Sequence, residues 1–287
     1  MHVIIEAFFD ETTFTVSYVV ADPQSRECAV IDPVLDFDPA SGRTATASAD
    51  RILDYIDNHG LEPNWILDTH VHADHLSAAA YIKRETGAQT GIGRGVLGTQ
   101  QTFREIFNLG EDLAVDGSQF DRLLADRDVL PLGSMRISVM HTPGHTADCI
   151  SYFIGDAAFV GDTLFMPDYG TARTDFPGGD AAELYRSIRK ILQLPDATRL
   201  FMCHDYKAPG RDEFAWETTV AAERDGNIHI RAGISEREFV RFRRERDAGL
   251  AMPRLILPAV QVNIRGGCLP APEDNGVSYL KLPLNRF

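Results

Sequence analysis

The stretch Ile66-Leu67-Asp68-Thr69-His70-Val71-His72-Ala73-Asp74-His75-Leu76 gathers three of the chain's nine histidines into six residues, with an aspartate between them. In extended backbone, residues two apart point to the same side. His70 and His72 can therefore aim their imidazoles into one space, and Asp74 and His75 follow as the chain turns. Imidazole and carboxylate are borderline-to-hard donors suited to Zn, Fe or Mn. A lone histidine would be better read as a solvated loop residue. The pattern H-x-H-x-D-H directly after the apolar run Trp65-Ile66-Leu67 points to metal binding instead.

Three further positions share this placement. Arg136 to Met140 alternates as a strand and runs into His141-Thr142-Pro143-Gly144-His145, where Pro143-Gly144 forces a turn that presents His145. On spacing alone either His141 or His145 could be a ligand; His141 is assigned as a strand-end side chain. Ala157 to Val160 ends in Gly161-Asp162, and Arg199 to Cys203 ends at His204-Asp205-Tyr206. Asp162 alone would be read as a turn or helix-cap aspartate. Four apolar strands thus end in His or Asp, at His70, His145, Asp162 and His204. In α/β sheets the crevice beyond the strand ends is the usual ligand site.

The elements that must position these residues follow from periodicity. Residues 2–9 and 14–20 read as strands joined by a turn at Asp10-Glu11-Thr12, and Cys28-Ala29-Val30-Ile31 as a third, closed by Asp32-Pro33. This opening meander implies a sheet that is not purely parallel. Residues 36–46, rich in Asp, Pro, Ser, Gly and Thr, read as loop. Helices are expected over 48–59 (apolar stripe Ile52, Leu53, Ile56, with Gly60 as cap), 76–86, 96–107, 181–192, 212–223 and 235–248. His59 at a helix end needs no catalytic role. Gly91-Ile92-Gly93-Arg94-Gly95 looks like a glycine loop but lacks the acidic residue and strand–helix frame of a phosphate site. Cys149 to Ile154 and Ala157 to Val160 form a hairpin turning at Gly155-Asp156. The tail carries Pro253, Pro258 and Pro270 between short apolar pieces. No repeat or linker divides the chain, so residues 1–287 are taken as one domain, with 207–287 a helical or extended extension packed on it.

The composition sets outer bounds. The 287 residues are 44% hydrophobic, enough for a full core, and carry a net charge of −14. That charge disfavours a nucleic-acid or anionic-membrane surface. The four cysteines, Cys28, Cys149, Cys203 and Cys268, are far apart with no C-x-x-C, as expected of a thiol-reducing compartment. The first residues lack a signal-peptide pattern, and no apolar run reaches membrane length, so a cytoplasmic location is expected.

The set His70-Val71-His72-Ala73-Asp74-His75, His145, Asp162 and His204 resembles the metallo-β-lactamase superfamily. The resemblance implies an α/β fold of the αββα kind: two mixed β-sheets face to face, helices outside, metal at one edge. Within it, Thr69-His70 through His75, Pro143-Gly144-His145-Thr146, Gly161-Asp162-Thr163-Leu164, Arg173-Thr174-Asp175-Phe176, His204-Asp205-Tyr206 and Val260 to Gly267 are similar to the persulfide dioxygenases. That group implies one Fe(II) per chain on His70, His145 and Asp162, a two-His, one-carboxylate triad typical of non-haem Fe(II) oxygenases. The implied reaction oxidises glutathione persulfide with O₂ to sulfite and glutathione. His72, Asp74, His75 and His204 would orient ligands and hold water. Arg173 would meet a substrate carboxylate or tune the ligands, against an ordinary ion pair with Asp175 or Asp168. Tyr206 would hydrogen-bond near the metal, against a core tyrosine. Cys149 and Cys203 are read as buried structural thiols.

The resemblance also admits a glyoxalase II-type dinuclear Zn(II) thioester hydrolase. His70, His72 and His145 would then hold one metal, Asp74, His75 and His204 the other, with Asp162 bridging. The partners implied are a small thiol substrate and O₂, with a homodimer as the assembly to test, and neither nucleic acid nor membrane.

Overall fold

The computed structural model describes residues 2–286. Fifteen strands and seven α-helices are found among them, in the order β1 Ile4–Asp10, β2 Thr15–Ala21, β3 Glu27–Ile31, β4 Val34–Asp38, β5 Arg43–Ala45, α1 Ala47–Asn58, β6 Glu62–Leu67, β7 Leu76–Ser77, α2 Ala79–Thr86, β8 Gln89–Gly93, α3 Val96–Ile106, β9 Arg122–Leu124, β10 Val129–Leu132, β11 Met135–His141, β12 Ile150–Ile154, β13 Ala157–Phe159, α4 Ala181–Ile191, β14 Arg199–Phe201, β15 Glu217–Thr219, α5 Val220–Gly226, α6 Glu236–Asp247 and α7 Ile256–Asn263.

Two six-stranded mixed sheets form the centre. The first, ordered β1-β2-β3-β6-β8-β9, is antiparallel through β3 and parallel from β3 to β9. The second, β10-β11-β12-β13-β14-β15, is antiparallel except for the parallel pair β13–β14. Side-chain alternation along the strands builds the layers. Tyr18, Val20, Ala29, Ile31, Trp65 and Leu67 face the second sheet, meeting Ile137, Val139, Tyr152, Ile154 and Phe159. Their neighbours Val19, Cys28, Val30 and Ile66 face outward onto α1, α2 and α7. On the other side Ala158, Leu200 and Met202 pack on α4 and Phe239 of α6. The result is the αββα sandwich. No helix among the described residues is long and apolar enough to cross a membrane.

Several local expectations are corrected. Residues 36–46 are not all loop: β4 and β5 pair as a polar hairpin, and β4 also pairs β7. Their acidic and hydroxyl residues hid the strand, because Asp36 turns inward to take the Ser48 N–H and hydroxyl at the start of α1. The helix expected over 76–86 begins only at Ala79, since Leu76–Ser77 is drawn into β7. The glycine run begins in strand β8, which ends at Gly93, and Arg94-Gly95 turn into α3. A Cβ at Gly93 or Gly95 would overlap the backbone of Asp148 or Ala147, so these glycines admit a crossing loop. The helix expected over 212–223 resolves into β15 and the shorter α5. The proline-bearing tail contains α7, which accepts Pro258 because the first turn of a helix leaves its N–H groups unused.

Candidate metal centre

The site lies at one edge of the sandwich, beyond the ends of β6, β11, β13 and β14. The loop of residues 68–75 is held from two directions. Asp148 accepts the Val71 N–H at 2.6 Å and the Thr99 hydroxyl at 2.8 Å. Asn263, the last residue of α7, donates its amide to the carbonyls of both His72 and His75 at 2.8 Å. His145 is presented by the Pro143-Gly144 turn, where Gly144 has φ +137°; a Cβ there would overlap the backbone of Leu184 in α4. Asp162 sits in a short 3₁₀ turn after β13. His204 follows β14, and the Cys203 carbonyl accepts the Val16 N–H at 2.7 Å, which joins the two sheets at this edge.

All seven expected donors converge. Nε2 of His70 and Nε2 of His145 lie 3.9 and 3.5 Å from Asp162 Oδ2, and His204 Nε2 lies 3.4 Å from Asp162 Oδ1 and 3.1 Å from Asp74 Oδ2. Two groups of ligand atoms take up all seven donors, His70, His145 and Asp162 in one and His72, Asp74, His75 and His204 in the other, each within 4.8 Å mutually; they meet at Asp162, which also groups with Cys203 and His204. The two-metal partition puts His72 with His70 and His145; here its ligand atom lies in the other group. The cause is Asp32, whose Oδ1 takes the His72 Nε2 proton at 2.9 Å and turns the ring.

Each imidazole has one nitrogen occupied by the protein. His145 Nδ1 donates to the Arg173 carbonyl at 2.8 Å, and His204 Nδ1 to the Phe14 carbonyl at 3.1 Å. His70 Nδ1 is 3.0 Å from the Thr69 hydroxyl, which itself donates to Asp32 Oδ2 at 3.0 Å. His75 Nδ1 lies 3.3 Å from the Thr15 hydroxyl. What remains is a set of buried atoms that face one another without an aligned hydrogen bond: His70 Nε2, His72 Nδ1, His75 Nε2, His204 Nε2, Asp74 Oδ2 and Asp162 Oδ1. Leaving one such atom unsatisfied costs about 1–3 kcal/mol. Six converging on one space is the signature of a cation site, with the opposite imidazole nitrogens held as metal-ligating histidines require.

The electrostatics agree. Burial, and then the neighbouring imidazoles, hold the pKa of His70 and His72 well below the ordinary histidine value, so both are neutral donors. Burial raises the pKa of Asp162. Burial pushes Asp74 the same way, but His204 and His75 outweigh it and draw its pKa down. Burial opposes protonation of His204, yet Asp74 and Asp162 prevail and raise its pKa. A cation would relieve this crowding of buried carboxylates.

His145, Asp162 and Asp74 floor a cleft of about 470 Å³ whose walls include Phe165, Tyr169, Tyr206, Arg173 and Arg246. Arg173 forms a bidentate pair with Asp175 at 2.6 and 2.7 Å, donates to the Ala251 carbonyl at 2.6 Å and lies over Phe176. Asp168 pairs instead with Arg211. Tyr206 is no core residue: it is 38% exposed and its ring stacks beside His204, with centroids 5.7 Å apart. His141 ends β11 away from the cluster, 3.2 Å from the Ala147 carbonyl. Cys149 and Cys203 are buried, and burial raises both thiol pKa values.

Sequence reasoning did not single out Asp32, Asp148 or Asn263. Asp32 carried a usable signal, since it ends an apolar strand as Asp162 does. Asp148 and Asn263 act through loop backbone and leave no periodic trace.

The profile of the metallo-beta-lactamase superfamily matches residues 11–204. A probable metallo-hydrolase of Burkholderia pseudomallei is 57% identical over 98% of this chain and 99% of its own length. A beta-lactamase hydrolase-like protein of Agrobacterium fabrum is 55% identical over 98% of this chain, which spans 64% of that longer protein. The mitochondrial persulfide dioxygenase of Homo sapiens is 28% identical over 92% of this chain and 89% of its own. Among solved structures, ETHE1 from Myxococcus xanthus superposes with a TM-score of 0.74 at 32% identity, over 92% of this chain and all of the other.

Proposed function

The chain belongs to the metallo-beta-lactamase superfamily, and from that premise we propose that it is a non-haem Fe(II) persulfide dioxygenase, converting glutathione persulfide and O₂ to sulfite and glutathione. The observation that carries the reading is the grouping of His70, His145 and Asp162, two imidazoles and one carboxylate, two of which open onto the cleft. Similarity to the persulfide dioxygenases in both sequence and fold supports it.

A ferrous ion on these three residues would supply open positions where a persulfide sulfur and O₂ can meet. The chain's own residues do the rest. Asp32, through Thr69, keeps the His70 proton on Nδ1 and leaves Nε2 free. The Arg173 carbonyl does the same for His145. Asp74 and His204, 3.1 Å apart beside Asp162, would hold the water that releases sulfite. Phe165, Tyr169 and Tyr206 give the thiol carrier an apolar wall and limit water at the floor.

A second reading, a glyoxalase II-type dinuclear Zn(II) thioester hydrolase, is favoured by the complete second group His72, Asp74, His75 and His204. Metal analysis with paired assays separates the two. About one iron per chain and oxygen consumption with glutathione persulfide are expected; two zinc ions with rapid cleavage of a glutathione thioester and no oxygen uptake would reverse the assignment.

A further inference from the structure

The cleft has a cationic mouth in an acidic protein. Four arginines line it: Arg173, Arg243, Arg246 and Arg254. Two are neutralised, Arg173 by Asp175 and the buried Arg243 by Asp247. Arg246 and Arg254 form no ion pair among the described residues, and both are solvent-exposed. The Arg243 Nε is buried with no hydrogen-bond partner. In a chain of net charge −14, two exposed guanidinium groups without a contact ion pair, Arg254 acting only at longer range on Asp38, form a local positive field beside Arg243.

We propose that Arg246 and Arg254 bind the carboxylates of the substrate's thiol carrier and so select an anionic carrier over a neutral one. This rests on the function proposed above. The sulfur must reach the buried His145 and Asp162, and the exposed Arg246 and Arg254 line the same cleft, where the charged end of the carrier can meet them. Guanidinium and carboxylate pair there in the planar two-bond geometry that arginine favours. The aromatic wall accepts the uncharged middle of the carrier.

The test is isothermal titration of metal-loaded protein with S-methylglutathione, which cannot react, and with its dimethyl ester, which keeps the α-ammonium and lacks both carboxylate charges. The wild type is expected to bind the acid about tenfold more tightly than the ester, a preference that shrinks at high salt. In the double variant Arg246→Gln/Arg254→Gln the two ligands bind alike, and Arg246→Lys/Arg254→Lys regains part of the preference. Equal affinity for acid and ester in the wild type, failure of S-methylglutathione to bind, or a preference retained by the glutamine variant would overturn the proposal. Oxygen uptake is read separately. Acid preference without oxygen uptake keeps the arginine site and removes the dioxygenase; oxygen uptake without acid preference does the reverse.

Discussion

Asp32 accepts the His72 Nε2 proton on Oδ1 at 2.9 Å while its Oδ2 accepts the Thr69 hydroxyl at 3.0 Å, so one carboxylate orients two histidines. It holds this place with φ +49°, a left-handed conformation that aspartate tolerates better than most residues. Burial pushes its pKa up to about 6, and the Thr69 hydrogen bonds act in the opposite direction.

Asp32→Asn keeps the shape and reverses one polarity. An amide nitrogen at the Oδ2 position would donate to Thr69, whose hydroxyl would then donate to His70 Nδ1. That moves the His70 proton to Nε2, the atom needed as a ligand. Loss of such a supporting group costs about 10–100-fold in metal affinity. Competition with chelators of graded strength reads this directly. Wild-type metal retention in the variant would show that Asp32 does not fix the tautomer.

The one-iron reading makes the two donor groups unequal. His145→Ala removes a ligand and is expected to leave almost no iron after dialysis. His204→Ala, in the other group, is expected to keep about one iron per chain and lose turnover. Elemental analysis of both variants decides. Equal metal loss from the two would instead indicate a coupled pair of ions.

Much of this centre was legible because its donors sit at strand ends. His70, His145, Asp162 and His204 each follow an apolar run, and two sheets packed face to face bring such strand ends together along one edge of the sandwich. Individual strands were legible from alternation, and the αββα layering only from the resemblance carried by the metal motif. The supports were not, because their partners are distant in sequence: Asn263 reaches back 191 residues to the His72 carbonyl. The β4–β5 hairpin was hidden for a related reason. Its polar residues carry strand pairing and a helix start together, which composition reads as loop.

The cysteines allow a simple check on the fold. Cys28, Cys149 and Cys203 are buried and Cys268 is exposed. Burial raises the pKa of all three buried thiols, that of Cys28 to about 12. A thiol reagent at neutral pH should label one group per native chain and all four after denaturation. Fast labelling of more than one group in the native protein would contradict the packing around β3, β12 and β14.

Glu223 in α5 gives a stability prediction independent of the metal. It is fully buried; Oε2 accepts the Asn227 amide at 2.6 Å and Oε1 has no hydrogen-bond partner. Burial raises its pKa to about 8, against an ordinary value near 4.5. Between these values the folded chain binds a proton that the unfolded chain does not, so stability falls as pH rises through that window, by at most about 1.4 kcal/mol per pH unit. Glu223→Gln keeps an acceptor for Asn227 and removes the titration. The variant should match the wild type near pH 5 and exceed it by roughly 2–4 kcal/mol near pH 9. Denaturant titrations across this range would show the wild-type midpoint falling away from that of the variant. Parallel midpoints would mean that Glu223 reaches water and ionises freely in the folded protein.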